Sequence, residues 1–585
     1  MEKLPRIPFE VNGIQYNFCK NPKCAQFGVP ASQEKLHGGN TYNLTGMSYG
    51  NGSNVPLLRC NCCQEHLPMK SNQGISEEID RLSSYLAITT KAIYCPNLDC
   101  SNNTIPVGTK KAYKSFGSTA QGAKRFQCLG CKKTFSIPKP TQYQHHTDKN
   151  LQIFKMLVNK VPLSRIVHML DISWAVLYSR LDFIHKQCLA FASSKEIELK
   201  NKEFKRLYVA VDRQDYTVNW TERKDKRNIV LHAMASAENS TGYVFGIHPN
   251  FDYSIDKDKV EQEARENGDN NATPPFRRHA RIWLDVDYIN AIERVKNIKK
   301  RKCNGTLESK IAVKYDEVAN RSDVEEFDVK TNEQKLPSYG VQVHAEYTMI
   351  AHFHFLKKLC GNVEKWRLFL DQDSGIRGAC LSAFQKEVKE KKAEAFYVSI
   401  EKEITVDQKR KNKAESNKRF ELIKQSNPHL TDEQVKMEML KQEISGVQEF
   451  GNWKDKWVKH PIPNMSESNK AMCWLTEHDE FDLDHKAWLY NKASLHGIDT
   501  FFQKVRRRVC MLERPIGSAA NGRRVWNGYG AYNPSNVVKL LEIFRVVHNF
   551  IDTKKEEDKS LTTPATRLGI VDQVYDYQDV LDFNS

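Results

Sequence analysis

Lys365-Trp366-Arg367-Leu368-Phe369-Leu370-Asp371-Gln372-Asp373-Ser374-Gly375 is a short apolar run that ends in carboxylates and then a glycine. Such a stretch predicts a buried strand with an acid at its carboxyl end, where the chain turns. Leu207-Tyr208-Val209-Ala210-Val211-Asp212 has the same form. Two buried strands that each end in Asp predict two acids at one edge of a sheet. Paired carboxylates of this kind hold divalent metal ions, which promote phosphoryl transfer.

Outward from these strands the pattern is regular. Leu207–Asp212 runs on through Tyr216–Trp220, and Asn228–Ala235 and Gly242–Ile247 complete a three-stranded meander with a polar turn at Ser236–Thr241. A helix over His344–Leu359, the strand Trp366–Asp371, a helix over Ile376–Lys391 and the strand Ala395–Ile400 follow. Three antiparallel strands, helix, strand, helix, strand is the order of an RNase H-like core, here residues 206–400. Residues 252–340 are polar and read as an insertion, in which Asp285 and Asp287 compete with Asp212 as strand-end acids. Residues 401–490, with Lys/Glu runs and the landmarks Trp453, Trp457, Trp474, Phe481 and Trp488, read as an all-helical insertion. Residues 491–585 supply the last helices of the core and a tail. The third acid of such a core sits on a late helix, and Leu495–Arg508 offers Asp499 there. Arg506, Arg507 and Arg508 follow two helical turns on, where they can hold phosphates.

The N-terminal part is organised by cysteine. Cys19/Cys24 and Cys60/Cys63 recur as Cys95/Cys100 and Cys128/Cys131, with constant offsets of 76 and 68 residues. The middle of each copy carries a tyrosine, Tyr42 or Tyr113. Two close pairs per copy supply the four soft ligands that zinc takes in a tetrahedron, so residues 1–75 and 76–145 read as tandem zinc ribbons with two Zn2+ ions. Cys62 is the spare thiol of its cluster, or an alternative ligand beside its neighbours. Lys124, Arg125, Lys132 and Lys133 favour a nucleic-acid surface around the second ribbon over a purely structural role.

Residues 146–195 turn helical. An apolar face at Leu151–Leu157, a short helix opened by Pro162, the turn Asp171–Ser173 and a helix from Trp174 give the order of a helix-turn-helix, against the plainer alternative of a packing hairpin. Ser173, Tyr178, Ser179, Arg180 and Lys186 are its candidate DNA contacts. Glu196–Lys205 reads as a linker. The net charge of +16, from 88 Lys+Arg and 72 Asp+Glu, points to a polyanionic partner. No apolar run is long enough to span a bilayer and the first residues lack a signal-peptide pattern, so an intracellular protein is expected. The whole reads as a multidomain α+β protein: tandem zinc ribbons, a helix-turn-helix, then an RNase H-like α/β core with insertions.

Taken in order, these features resemble a bacterial insertion-sequence transposase of the DDE/DDD type. The resemblance is carried by the ribbons and helix-turn-helix, the Val211-Asp212 strand, the Leu370-Asp371-Gln372 strand end, and the helix Gly497-Ile-Asp499-Thr-Phe-Phe-Gln-Lys-Val-Arg-Arg-Arg508. The tail Thr563-Pro-Ala-Thr-Arg-Leu-Gly569 is also similar to a transposase ending. The resemblance implies a metal-dependent polynucleotidyl transferase in which Asp212, Asp371 and Asp499 hold two Mg2+ or Mn2+ ions roughly 4 Å apart. Water, and then a freed DNA 3′-hydroxyl, would attack phosphodiesters without a covalent enzyme intermediate. It further implies double-stranded DNA partners (transposon ends recognised by the N-terminal modules, and a target), a homo-oligomer on paired ends, and a cytoplasmic, nucleoid-associated bacterial protein. Arg506–Arg508, Arg523 and Arg524 would contact the DNA backbone. The chain departs from the family at the third acid, where Asp499 stands for the usual Glu and Glu513 is the alternative. Asp215 and Asp373 are the alternatives at the first and second positions. A domesticated, non-cleaving regulator and a nuclease of the same fold are the rival functions.

Overall fold

A computed structural model of the chain describes residues 5–34, 39, 41–48, 54–88, 93–107, 109–119, 123–142, 144–219, 228–288, 311, 340–401, 404–464, 467–478, 480–513, 516–517, 525–526 and 533–583. The chain divides into two compact units. The first comprises Met1–Leu82, Asn201–Lys504 and Leu512–Val538; the second comprises Ser83–Lys200, Val505–Met511 and Lys539–Ser585. The fold is mixed α/β, with one large mixed sheet. Among the described residues no helix is long and apolar enough to cross a membrane.

The cysteine repeat is a structural repeat. In the first unit, β1 (Tyr42–Ser48), β2 (Asn54–Cys60) and β3 (His66–Pro68) form an antiparallel sheet, followed by α1 (Asn72–Ser83). In the second unit, β4 (Tyr113–Ser118), β5 (Lys124–Cys128) and β6 (Thr134–Ser136) form its counterpart. Tyr42 pairs with Cys60 and Tyr113 with Cys128. The second knuckle of each copy turns through a left-handed residue, Gln64 at φ 62° and Lys132 at φ 61°, whose N–H returns to the carbonyl of Cys60 or Cys128.

The second unit continues into α2 (Asn150–Leu157), α3 (Leu163–Leu170) and α4 (Trp174–Glu196). Asp171, left-handed at φ 47°, stops α3, and the Ser173 hydroxyl caps α4 by accepting from the Val176 N–H at 3.2 Å. Leu177, Leu181, Ile184, Cys188 and Phe191 form the buried stripe of α4. The expected linker at Glu196–Lys205 is instead partly helical. α4 runs to Glu196 and a 3-10 turn covers Ile197–Lys200, because Glu196 is fully buried against Arg545 and Tyr85. The tail residues Phe550, Tyr575 and Phe583 set their rings edge-on to Phe191 at 5.0–5.5 Å. In that tail a short helix, Pro564–Leu568, is capped by Thr563 and ended by left-handed Gly569.

The sheet of the first unit contains β7 (Leu207–Asn219), β8 (Asn228–Glu238), β9 (Val244–Pro249), β10 (Trp366–Asp371) and β11 (Ala393–Ile400). Three further strands are β12 (Gln448–Phe450), β13 (Asp455–Lys459) and β14 (Lys470–Trp474). The strand order is β9-β8-β7-β10-β11-β14-β13-β12. The β7–β8 and β8–β9 pairs are antiparallel, and β10 lies parallel to both β7 and β11. Parallel central strands are covered on both faces, which is why β10 and β11 are mostly apolar, with Arg367 and Glu394 buried as a pair at 3.6 Å. On one face Trp366 packs on Phe384, and Tyr397 packs against Arg377 of α5 (Ser374–Ala383). The other face carries the ring stack Tyr208–Phe369–Phe396–Trp474, closed over by Trp488 and Tyr490 of α6 (Leu483–Lys492).

Three expectations are corrected here. Residues 401–490 are not all helical: Val406–Ser426 and Asp432–Ser445 are helices, but β12–β14 then extend the sheet, with Trp457 and Trp474 buried in it. The single helix expected at Ile376–Lys391 is two, Ser374–Ala383 and Gln385–Lys389, broken at Phe384, whose buried ring contacts Trp366. The turn placed at Ser236–Thr241 starts later. β8 runs to Glu238, whose carboxylate accepts from the Ser240 and Thr241 N–H groups and so makes the turn itself. Of the insertion at 252–340, residues 289–310 and 312–339 lie outside the described residues, as do Trp220, Arg523 and Arg524.

Candidate functional site

Two groups of four cysteines can each hold a metal ion. Cys19, Cys24, Cys60 and Cys63 form one, and Cys95, Cys100, Cys128 and Cys131 the other; in each, the four sulfurs lie within 4.8 Å of one another. Sγ separations are 3.5 Å for Cys19–Cys63, 3.8 Å for Cys24–Cys60, 3.4 Å for Cys95–Cys131 and 3.6 Å for Cys100–Cys128. Sulfurs 2.3 Å from a tetrahedral centre stand roughly 3.8 Å apart, so both sets are close to that geometry. Cys62 is exposed and outside the cluster. Burial pushes Cys24 and Cys95 each up to about 12. Burial also acts against the charge on Cys128, but donors that include the Cys131 amide and the Asn102 side chain draw it down to about 6.

Each group is tied by its tyrosine. The Cys19 N–H donates to the Tyr42 hydroxyl at 2.9 Å, and that hydroxyl lies 2.7 Å from the Val29 carbonyl and 3.0 Å from that of Gln26. In the repeat, the Cys95 N–H donates to Tyr113 at 3.0 Å, and the hydroxyl lies 2.6 Å from the carbonyls of Asn102 and Ile105. The carbonyl positions keep the 76-residue offset of the cysteines. The tyrosines were visible as a repeated residue, but their task as knots that fix the first knuckle was not.

The acids occupy the middle of the large sheet. Leu370 pairs with Val211 in the parallel β7–β10 ladder, so Asp371 and Asp212, one residue on, lie side by side on one face. Asp212 is 6% exposed and Asp371 half-buried. Gln214, two residues along the same face, is buried, with an Oε1 that has no partner among the described residues. Asp499 lies in the first turn of α7 (His496–Arg508), half-buried beside the buried stripe Ile498, Phe501, Phe502 and Val505. That helix starts against the end of β8. The Asn239 side chain accepts from the Gly497 N–H at 3.0 Å and donates to the Ser494 carbonyl at 2.7 Å. A Cβ on Gly497 would stand 2.8 Å from Asn239 Oδ1 and 3.3 Å from the Glu238 carbonyl. The three carboxylates do not meet in one shell: among the described residues only the two four-cysteine sets bring three or more ligand atoms within 4.8 Å.

The alternative acids are engaged elsewhere. Asp373 caps α5, accepting from the Gly375 N–H at 2.7 Å and the Ile376 N–H at 3.2 Å. Asp215 is paired with His232 at 2.7 Å. Asp287 is held by both oxygens on Arg277; burial opposes its charge, but His344 and Arg277 outweigh it and draw its carboxyl down to about 2. Asp285 pairs with Lys257 at 3.1 Å. Glu513 is exposed just past the turn Cys510–Leu512.

In the second unit, Ser173, Tyr178, Ser179 and Lys186 are exposed on α4. Arg180 is not: it is 6% exposed, and its guanidinium donates to the His145 carbonyl. Position 180 falls beside Leu177, Leu181 and Ile184 on the buried side, so it cannot serve as a surface contact. Arg508 is likewise committed, ion-paired with Asp552 and donating to the Val158 carbonyl at 3.1 Å. Arg507 is exposed and Arg506 half-buried. No protein-family model, curated protein or solved structure matches this chain.

Proposed function

We propose that the chain is a DNA transposase whose first unit is an RNase H-like polynucleotidyl transferase and whose second unit binds DNA. The carrying observation is the strand order β9-β8-β7-β10-β11, third-second-first-fourth-fifth in chain order, with Asp212 and Asp371 in register on adjacent parallel strands. Hard carboxylate oxygens at that point suit Mg2+ or Mn2+. Asp212 and Asp371 would hold the metal, with Asp499 from α7. Bound there, the metal activates the attacking hydroxyl and stabilises the leaving oxygen. The protein's own part is placement. The ladder sets the first two acids side by side, and Asn239 sets the start of the helix that carries the third.

DNA binding by the second unit is supported by charge. Residues 83–200 hold 17 Lys+Arg and 6 Asp+Glu, a balance of +11 in a chain of +16. They also contain the second four-cysteine module and the α3–turn–α4 pair, which has the order of a helix-turn-helix. Each set of four cysteines is a soft tetrahedral site of the kind zinc fills, so metal analysis should return two zinc ions per chain.

The test uses full-length protein and a duplex recovered by it from a randomised library. With Mg2+ the wild type should nick this DNA and join a precut end to a second duplex. Asp371→Asn should lose both activities and keep its binding. Full cleavage by that variant removes the assignment. Cleavage without joining would make the protein a nuclease. A second reading, a non-cleaving regulator, draws on the three acids lying outside one shell; wild-type protein inert with Mn2+ as well as Mg2+ would select it.

A further inference from the structure

We propose that the first turn of α4 reads thymine methyl groups in the major groove, through the stacked pair Trp174 and Tyr178. This rests on the helix-turn-helix reading of the second unit and adds the base class that it recognises. Trp174 is 47% exposed and Tyr178 38%, with their rings 6.1 Å apart and 26° from parallel. They stand one helical turn apart at the start of the second helix, directly after the Ser173 cap. Met169, on the last turn of α3, adds a side chain that is 62% exposed. Two adjoining exposed rings on a strongly basic unit mark a binding surface rather than scattered exposure. The occupant must combine a polyanionic exterior with apolar groups inside a groove, and thymine-bearing duplex DNA does so.

The burial of Arg180 sharpens this choice. Guanine is read most often by a guanidinium or ammonium donating to O6 and N7. The first two turns of α4 offer none, because Arg180 is spent on the His145 carbonyl and Lys186 lies a further turn and a half along. What they do offer is the Trp174 ring, the Tyr178 ring with its hydroxyl, and the hydroxyl of Ser179. Aromatic faces meet the 5-methyl that thymine alone carries, so A·T steps are favoured over G·C; the hydroxyls can bond any base edge.

The test is selection followed by deletion of single methyls. Full-length protein selects duplexes from a randomised library, and each thymine of the enriched site is replaced in turn by uracil, which removes only the 5-methyl. Wild-type affinity should fall about fourfold for each methyl under the pair, the worth of one buried carbon. The protein carrying Trp174→Ala and Tyr178→Ala should bind the thymine and uracil sites alike. Neither side chain belongs to the buried stripe of α4, so an unchanged circular dichroism spectrum is expected. Duplex binding that is blind to uracil, a G·C-rich enriched site, or a uracil penalty that persists in the variant overturns the proposal while leaving the DNA-binding reading in place. Preference for single strands over duplex makes the rings a base-stacking platform and also overturns it. Failure to bind any DNA removes both readings.

Discussion

The two four-cysteine modules share a ligand plan, a tyrosine knot and a knuckle turn, and they differ in what surrounds them. The first is built into the unit that holds the large sheet. Glu65 accepts from Trp453, Lys70 pairs with Glu346, and the Ser71 N–H donates to the Tyr347 hydroxyl at 3.1 Å. Its trailing helix α1 buries Glu78 completely, where Arg81, Arg281 and Thr348 all donate to it. Around the second, no such wall stands among the described residues. Five of the six residues of β4 are exposed, and the Arg125 guanidinium lies 5.6 Å from the ring of Phe116, which is 47% exposed. One copy is packed into a core, whereas the described strand β4 of the other is largely exposed, the surface that the proposed DNA binding would use.

The strongest test of that contrast removes the metal sites one at a time. Cys24→Ser with Cys60→Ser withdraws a structural site of a kind worth on the order of 10 kcal/mol. Hydrogen exchange should then show lost protection across the large sheet as well as in β1–β3. Cys100→Ser with Cys128→Ser should loosen only β4–β6 and weaken DNA binding. Equal spread of lost protection from the two would break the comparison.

Next in size is Glu78→Ala. It takes one acid from buried Arg281, which keeps Asp252 at 3.1 Å, and should cost about 3 kcal/mol in urea unfolding of the first unit. An effect below 1 kcal/mol would mean that α1 is not a wedge in the core. Smaller again are Tyr42→Phe and Tyr113→Phe, each removing a hydroxyl that accepts one amide and meets two carbonyls. Each should cost about 1–3 kcal/mol and speed zinc release to a chelator. Similar losses in the two copies would show that the knot serves the metal site whatever packs around it.

A further effect concerns pH. Burial raises the Glu65 carboxyl to about 7, against the opposing pull of Trp453 and Arg377. A raised folded value means that stability present in acid is lost as pH rises from about 4.5 through about 7, by at most about 1.4 kcal/mol per pH unit. Glu65→Gln should flatten the urea midpoint over that window. An unchanged slope would take Glu65 out of the buried contact with Trp453.

Legibility in the sequence followed how local each cause was. Metal ligands need fixed spacing over a few residues, so the repeat stood out at constant offset. Strands buried on both faces are mostly apolar, so Trp366–Asp371 was plain at its observed bounds despite Arg367. The strands Asp455–Lys459 and Lys470–Trp474 were hidden because they are short, begin with charges and follow two long charged helices. Their signal lies in pairing, β14 with β11 and β13 with β14, which no window of sequence contains. Arg180 was misjudged because residue type outweighed phase: an arginine looks solvated until the stripe Leu177–Leu181–Ile184 is drawn around it. Whether the acids converge depends on the approach of a helix nearly three hundred residues from the first of them.

The bare α-carbon of Gly497 has a bearing on that approach. With no side chain to hold it off, the backbone at the start of α7 seats directly on Asn239 and the Glu238 carbonyl. Asp499, two residues further on, has one methylene less reach than a glutamate there would have. Under the function proposed above, a closer scaffold and a shorter arm form a matched set, so a methyl added at 497 would demand the longer acid at 499.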